Sequence, residues 1–93
     1  MRIAKVIGTV TLNRCHPSFN GARLRLVSPL SLAELKGEAT PQADEMVVWD
    51  ENGAGIGSLI AVSEGAEATQ PFRPDLKPVD AYASAILDEV NLD

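Results

Sequence analysis

Residues 2–12 alternate between two kinds of side chain, a pattern that is typical of a β-strand. The even-numbered face is small and apolar, which suits the interior of a narrow barrel. Gly8 in the middle of the strand predicts a bend or a close approach of another backbone, as barrels need. On the opposite face, Ile3 and Ile7 require cover that one small domain does not supply by itself. The two faces hold Ala4, Val6, Gly8, Val10 and Leu12, and Ile3, Lys5, Ile7, Thr9 and Thr11.

Three later segments also have the composition of short strands. Residues 22–27 alternate and end before Pro29, and residues 45–50 and 59–63 are rich in valine and isoleucine. In the first of these segments, Leu24 and Leu26 are expected to point inward, with Arg23 and Arg25 outward.

The connecting segments are punctuated by residues that break regular structure. Residues 30–43 are predicted to be a loop with one helical turn near residues 31–35. Residues 64–76 are predicted to be irregular, because Pro71 and Pro74 exclude a long helix.

The C-terminal segment, residues 78–93, carries two patterns at once. One pattern has helical spacing, with Asp80 as a possible N-cap. Ile86, Asp88, Val90 and Leu92 alternate as a strand would. We predict a short helix from Asp80 that runs into a final strand. The helical positions are Val79, Ala83, Ile86, Leu87 and Val90.

Length and composition limit the architecture and its setting. The 93 residues are enough for a single domain, residues 1–93, and 45% of them are hydrophobic, as in a folded protein. Several short strands in so short a chain predict an all-β fold with a short helix, arranged as a small closed β-barrel. The single cysteine excludes an internal disulfide framework. The N-terminus has neither a secretory h-region nor a membrane span, so the protein is expected to be cytoplasmic.

Charge is distributed unevenly along the chain, with a net value of −5. Residues 1–33 carry five basic groups and no acidic one, while all thirteen acidic groups lie in residues 34–93. Three interpretations are open: a basic face for nucleic acid, complementary faces that dock head to tail, or ordinary surface charge that folding intermixes. The acidic total argues against nucleic acid as the main partner.

The segment Gly53-Ala54-Gly55-Ile56-Gly57-Ser58 has the glycine content of a phosphate-binding loop but not its spacing. A dinucleotide fingerprint needs G-x-G-x-x-G before a helix, whereas this G-x-G-x-G precedes a predicted strand. A P-loop needs a lysine where Ser58 stands. A hairpin whose glycines adopt positive φ is the simpler interpretation. Three alternating glycines nevertheless exceed what a turn needs and indicate a backbone packed tightly against something else.

No residue pattern points to catalysis or to a cofactor. Cys15 and His16 are the only soft metal ligands, too few for a zinc site within one chain, and adjacent residues rarely face each other as a catalytic pair. We therefore expect no metal, no cofactor and no enzymatic activity. Paired carboxylates at the ends of predicted strands are interpreted as solvated charge: Asp44-Glu45, Asp50-Glu51 and Asp88-Glu89.

The four aromatic residues, Phe19, Trp49, Phe72 and Tyr82, are scattered along the sequence. They are too few to predict a stacking platform for single-stranded nucleic acid. Trp49 is expected in a core or an interface.

Four stretches, in order, resemble one protein family. They are MRIAKVIGTVTLNR, GARLRLVSPL, VVWDENGAGIGSLIAVSEG and KPVDAYASAILDEV. Together they are similar to the EutN/CcmL family, the pentameric vertex proteins of bacterial microcompartments. The resemblance implies a five-stranded OB-fold-like barrel and a homopentamer that caps the five-fold vertices of a polyhedral protein shell. It also implies hexameric and trimeric shell proteins as partners, with no nucleic acid and no membrane.

The resemblance further implies which residues meet at the five-fold axis. Residues Gly53, Ala54, Gly55, Ile56, Gly57 and Ser58 would line a narrow central opening where five copies converge. Ile3, Ile7 and Asp80 are candidates for the subunit interface, and Asp80 would tie the C-terminal segment to the barrel. An OB-fold module that binds nucleic acid or a small ligand is the alternative function, and a small enzyme using Cys15 and His16 is a third.

Overall fold

The computed structural model describes residues 1–12, 17–19, 21–40, 44–75, 77 and 79–91, and these residues form a five-stranded barrel. A 3₁₀ turn at Pro17–Phe19, helix α1 at Leu32–Leu35 and a 3₁₀ helix at Gly65–Phe72 connect the strands. Over the described part of the chain, none of the helices has the length and apolar character to cross a membrane. The strands are β1 (Arg2–Val10), β2 (Leu24–Pro29), β3 (Met46–Asp50), β4 (Leu59–Glu64) and β5 (Ala81–Leu87).

The strands close in the order β1-β2-β3-β5-β4, which confirms the predicted barrel. All pairs are antiparallel except β3 with β5. Strand β5 lies between β3 and β4, so the predicted hairpin between these two strands is wrong. The glycine loop instead crosses from one strand to another that it does not pair with, which requires more chain than a two-residue turn. The junction between β3 and β5 is short, with pairs only at Trp49–Tyr82 and Asp50–Ala83.

A β-bulge in β1 changes the face on which its side chains lie. Val6 pairs with Val27, but Gly8 pairs with Leu26, so one extra residue is inserted at this point. The bend predicted at Gly8 is therefore confirmed. Because one added residue reverses the alternation, Val10 does not share the face of Val6, contrary to the sequence-based prediction.

Strand β2 alternates without interruption, but its inward face is the opposite of the predicted one, because Val27 lies in the barrel core. Arg25 lies opposite Val48, a residue wholly inside the barrel, and its side chain is only 17% exposed. The prediction that Arg25 points outward is wrong. Leu24 instead packs outside the barrel, against the side chain of Trp49.

Two separate clusters of apolar side chains hold the fold together. The barrel core fills the interior with small and β-branched residues, which fit a narrow barrel. The aromatic cluster covers the outside of β2, β3 and β5 beneath the 3₁₀ helix. The barrel core comprises Ala4, Val6, Val27, Val48, Ala54, Ile60, Val62, Ala81 and Ala83. The aromatic cluster comprises Leu24, Trp49, Ala68 and Tyr82, with Val10, Phe19, Ala22, Phe72 and Val79 around them.

Local sequence explains one of the connecting elements, helix α1. Helix α1 begins after Ser31, whose hydroxyl accepts from the Glu34 amide at 3.3 Å while the Glu34 carboxylate accepts from the Ser31 amide at 3.0 Å. This capping box fits the helical turn predicted near residues 31–35.

The segment before β5 does not follow its local pattern. Strand β5 starts at Ala81, so the helix predicted from Asp80 is wrong. Pairing with β4 on one side and β3 on the other outweighs the helical spacing.

Candidate functional site

The glycine loop, residues 51–58, runs from the end of β3 to the start of β4. Its last residues continue the pairing with β1, because the Gly57 amide donates to the Val6 carbonyl at 2.8 Å and the Val6 amide donates to the Ser58 carbonyl at 2.9 Å. The Ser58 amide also donates to the Gly55 carbonyl at 3.1 Å, which forms a tight turn. Ile56 lies at the tip of this turn and is 73% exposed. The loop thus presents an isoleucine flanked by two glycines.

Asp50 anchors the first half of the loop from inside the barrel. It is 0% exposed, so the prediction that the Asp50-Glu51 pair is solvated charge is wrong for Asp50. Its Oδ1 accepts from the Asn52 amide at 2.9 Å, and its Oδ2 accepts from the Ala54 amide at 2.8 Å. A buried carboxylate must be paired to be tolerated, and these two bonds supply part of that requirement.

Arg25 supplies the positive charge that the buried Asp50 carboxylate also needs. Its Nε lies 3.4 Å from Oδ2 of Asp50 and donates to the Ala54 carbonyl at 2.9 Å. Ala54 is therefore bonded at its amide by Asp50 and at its carbonyl by Arg25. Arg25, Asp50 and the Ala54 backbone form a closed set of contacts, which we call the loop clamp.

Three further contacts hold the loop to the neighbouring strands. Arg23 donates to the Glu51 carbonyl at 3.0 Å, and the Asn52 side-chain amide donates to the carbonyl of Ala83 at 3.0 Å. The Tyr82 hydroxyl donates to the Glu51 carboxylate at 3.0 Å. Burial raises the pKa of Tyr82, and the hydrogen bond to Glu51 and the negative charges of Glu51 and Asp50 raise it further. Together these contacts join the loop to β5 and to the residue that precedes β2.

The glycines of the loop serve different purposes. Gly53 and Gly57 have φ of +76° and +93°, a region that other residues rarely adopt, so these positions need glycine within a single chain. Gly55 has no positive φ, and a Cβ built there meets no atom within 4 Å. Its lack of a side chain is not explained by this subunit.

Ala54 differs from its neighbours in the loop. It is 1% exposed and packs in the barrel core. The expectation that Ala54 lines an opening between subunits is therefore corrected, because its side chain points into its own barrel. The remaining residues of the segment are exposed or half-buried: Gly53, Gly55, Ile56, Gly57 and Ser58.

The bonding of the loop also explains why it is not a phosphate site. A phosphate loop needs free backbone N–H groups that point at the anion. Here the amides of Asn52 and Ala54 already donate to a carboxylate, and the amide of Gly57 donates to β1. A buried carboxylate at the centre of the loop would also repel an anion.

The four aromatic residues, scattered in sequence, come together in a row. The ring centroids of successive members, in the order Phe19, Trp49, Phe72 and Tyr82, lie 5.8, 4.8 and 5.5 Å apart. Trp49 and Tyr82 are buried in this row, which confirms the prediction of a core position for Trp49. The row attaches the 3₁₀ helix to the barrel, and its buried members, Trp49 and Tyr82, do not offer ring faces on which bases could stack.

The other predicted sites are not brought together. Cys15 and His16 lie outside the described residues, and elsewhere in the described chain no three His, Cys, Asp or Glu side chains are grouped as metal ligands. The two described ion pairs both join the basic N-terminal third to the acidic remainder within one chain, because Arg2 pairs with Glu64 at 3.1 Å and Arg25 with Asp50. Folding thus intermixes part of the uneven charge.

The interface candidates are spread over the surface. Ile3 is half-buried and Ile7 exposed on β1. Asp80 is exposed, and its carbonyl accepts from the Gly65 amide at 2.9 Å, which links the start of β5 to the 3₁₀ helix. The role of these three residues between subunits remains a prediction.

Comparison with known proteins decides the family. The profile of the family described as "Ethanolamine utilisation protein EutN/carboxysome" matches residues 1–88. The chain belongs to the EutN/CcmL family. It is 37% identical over 93 residues to the carboxysome shell vertex protein CcmL of Synechococcus elongatus, covering 100% of this chain and 89% of that protein. Two solved structures agree with this assignment.

The structure of Gloeobacter violaceus CcmL matches with a TM-score of 0.87 at 31% identity, covering 100% of this chain and 91% of that one. The pentameric microcompartment shell protein GrpN of Rhodospirillum rubrum matches with a TM-score of 0.82 at 32% identity, covering 100% of both chains. The structural match confirms the predicted fold. EutN/CcmL proteins are structural shell vertex proteins and not enzymes, and the predicted structural role is confirmed. This EutN/CcmL chain is accordingly a structural protein of a microcompartment shell vertex.

The loop clamp was missed by the sequence analysis. Its signal was present in Asp50-Glu51-Asn52-Gly53, since an aspartate often accepts from the amide two residues later in a turn. Arg25 gave no such signal, because only the packing of β2 in the barrel shows that the face of Val27 and Arg25 is the inward one.

Proposed function

We propose that five copies of this chain, each folded as one domain over residues 1–93, assemble into a closed ring that caps a five-fold vertex of a microcompartment shell. The observation that carries this proposal is the match to pentameric GrpN over the full length of both chains. A ring requires a head-to-tail contact between two different surfaces, with a rotation that closes after five copies. The barrel presents its exposed side chains and loops for that contact.

We further propose that the exposed tip of the glycine loop lies at the five-fold axis. Two features support this placement. Gly55 lacks a side chain although its own subunit has room for one, as expected where backbones of several copies crowd together. Ile56 is largely exposed on a well-anchored turn, and contact with neighbouring copies would cover it. Gly53 and Ser58 would lie at the edge of the same opening, with Ile3, Ile7 and Asp80 at the contacts between subunits.

Hexameric and trimeric shell proteins are the proposed neighbours of the ring. Hexagonal units tile a flat layer, and a closed polyhedron needs five-fold positions in addition. The ring would fill those positions, and no cofactor or metal takes part.

Native mass in solution tests the ring. Five copies of the 9.9 kDa chain give about 50 kDa. Light scattering and native mass spectrometry at micromolar concentration are expected to show this species. A monomer or a dimer under the same conditions would contradict the proposal. A mobility-shift assay with single-stranded nucleic acid at low salt tests the alternative binding function, and no shift is expected.

A further inference from the structure

We infer that Asp50 is the positioning residue of the glycine loop, and that it sets the docking shape of the loop in each subunit before the ring assembles. The contacts that carry this inference lie within a single chain. Its link to ring assembly rests on the proposed function.

The Asp50 carboxylate determines the course of the backbone over residues 50–54. Each of its oxygens accepts from a different amide, Oδ1 from Asn52 and Oδ2 from Ala54. Two bonds from one rigid group to amides two and four residues ahead leave the intervening chain little freedom. Because Asp50 is wholly buried, water does not compete for these bonds.

Arg25 holds the opposite side of the same peptide segment. It donates to the Ala54 carbonyl while its charge faces the Asp50 carboxylate. The Ala54 backbone is thus fixed at both of its polar groups, and its side chain is packed in the barrel core. The far end of the loop is fixed independently by the bonds between β1 and residues 57 and 58. Only the turn around Ile56 remains between two anchored ends.

A loop anchored in this way reaches the neighbouring subunit already in its bound shape. Association then avoids the entropy cost of ordering the loop, which preorganised surfaces do not incur. Without the Asp50 bonds, each of the five subunits would have to order its loop as the ring forms.

Amide hydrogen exchange followed by NMR tests the inference on the unmodified chain. The amides of Asn52 and Ala54 are expected to exchange at least tenfold more slowly than that of Ala39, an exposed residue outside the proposed subunit contacts whose amide meets no acceptor within the described residues. The comparison is internal to the molecule and needs no variant. Equal exchange at Ala54 and Ala39 would overturn the inference.

Variants separate loop positioning from overall stability. Asp50→Asn points a side-chain N–H group at one of the two loop amides, and it leaves the Arg25 charge buried without a counter-charge. In the double variant Asp50→Asn with Arg25→Gln, neither side chain of the loop clamp is charged. We expect the double variant to recover most of the unfolding midpoint that Asp50→Asn loses. Amide exchange at Asn52 and Ala54, measured relative to amides of β1 and β4, is expected to stay at least tenfold faster than in the parent. Recovery of both properties together would show that the carboxylate acts only through overall stability and would refute the inference.

Asp44→Asn is the matched control, because it makes the same chemical change at an exposed position just before β3. It is expected to leave exchange in the loop unchanged. Ring assembly is read separately by native mass over a dilution series. The ring of the double variant is expected to dissociate at a concentration at least tenfold higher than the ring of the parent. An unchanged dissociation concentration would contradict the link to assembly. A parent chain that forms no ring would refute the proposed function, while the exchange data would still decide the role of Asp50.

Discussion

Tyr82 donates its hydroxyl to the Glu51 carboxylate at 3.0 Å and thereby ties strand β5 to the glycine loop. Tyr82 is a buried member of the aromatic cluster. The bond therefore joins this cluster to the loop that carries the exposed Ile56 between two glycines. The loop is anchored to the barrel core through Ala54 and to the aromatic cluster through Tyr82, so it is a fixed part of the barrel surface.

Stability at alkaline pH is predicted to depend on Tyr82. Burial, and then Glu51 and Asp50, raise its pKa in the folded chain, so folding favours the neutral phenol. This contribution is complete below the ordinary tyrosine pKa of about 10 and is lost as pH rises through the folded value. The midpoint of urea unfolding is therefore expected to fall above about pH 10. Tyr82→Phe should cost about 1 kcal/mol at neutral pH and remove this part of the alkaline loss.

The assignment of this effect to Tyr82 is direct, because it is the only tyrosine. Tyrosinate absorbance can be titrated in the folded and the urea-unfolded chain. A folded pKa at or below the unfolded value would contradict the prediction.

The two described ion pairs are predicted to differ strongly in their importance. Arg25→Gln leaves the Asp50 carboxylate buried without its positive partner, and we expect a loss of about 3–5 kcal/mol. Arg2→Gln breaks the exposed pair with Glu64, and we expect a loss of at most about 1 kcal/mol. Urea unfolding at one fixed subunit concentration measures both, since assembly makes stability depend on concentration. Equal losses would mean that the Arg25 pair is not structural.

Two isoleucines provide a matched test of the barrel core. Ile60 is 0% exposed, whereas Ile86 opposite to it is 41% exposed. Ile60→Ala is expected to destabilise the fold by about 2–5 kcal/mol through lost burial and a cavity. Ile86→Ala should cost distinctly less in the isolated subunit. A comparable loss for Ile86 in thermal unfolding would indicate that the ring buries this residue.

Gly55 and Gly57 separate strain within a subunit from crowding between subunits. Gly55→Val adds its side chain to open space with no backbone strain, so circular dichroism of the subunit should be unchanged while ring formation is lost. Overpacking typically costs about 1–3 kcal/mol at one site, and the ring repeats it in every copy. Gly57→Val, at φ of +93°, is expected to destabilise the subunit as well. Intact rings for Gly55→Val, as seen by native mass, would place the loop away from the axis.

The sequence by itself determined four of the five strands, because each is an apolar segment bounded by residues that end it. The alternation in residues 2–12 and the valine-rich segments led to these four strands, and residues 30–43 were predicted as a loop with one helical turn near residues 31–35. These features depend on neighbours along the chain, which a sequence displays. The ambiguity before β5 was settled by its pairing with β3 and β4, which depends on residues distant in sequence.

Only the tertiary structure decided which faces are inside and where the charges lie. A single bulge between Val6 and Gly8 moves Val10 to the outer aromatic cluster, because strand periodicity is two and one inserted residue inverts it. Arg25 and Asp50 are far apart in sequence and look like ordinary surface charges there. Inside the barrel they meet across β2 and β3, since a buried carboxylate is stable only where a cation and amides surround it.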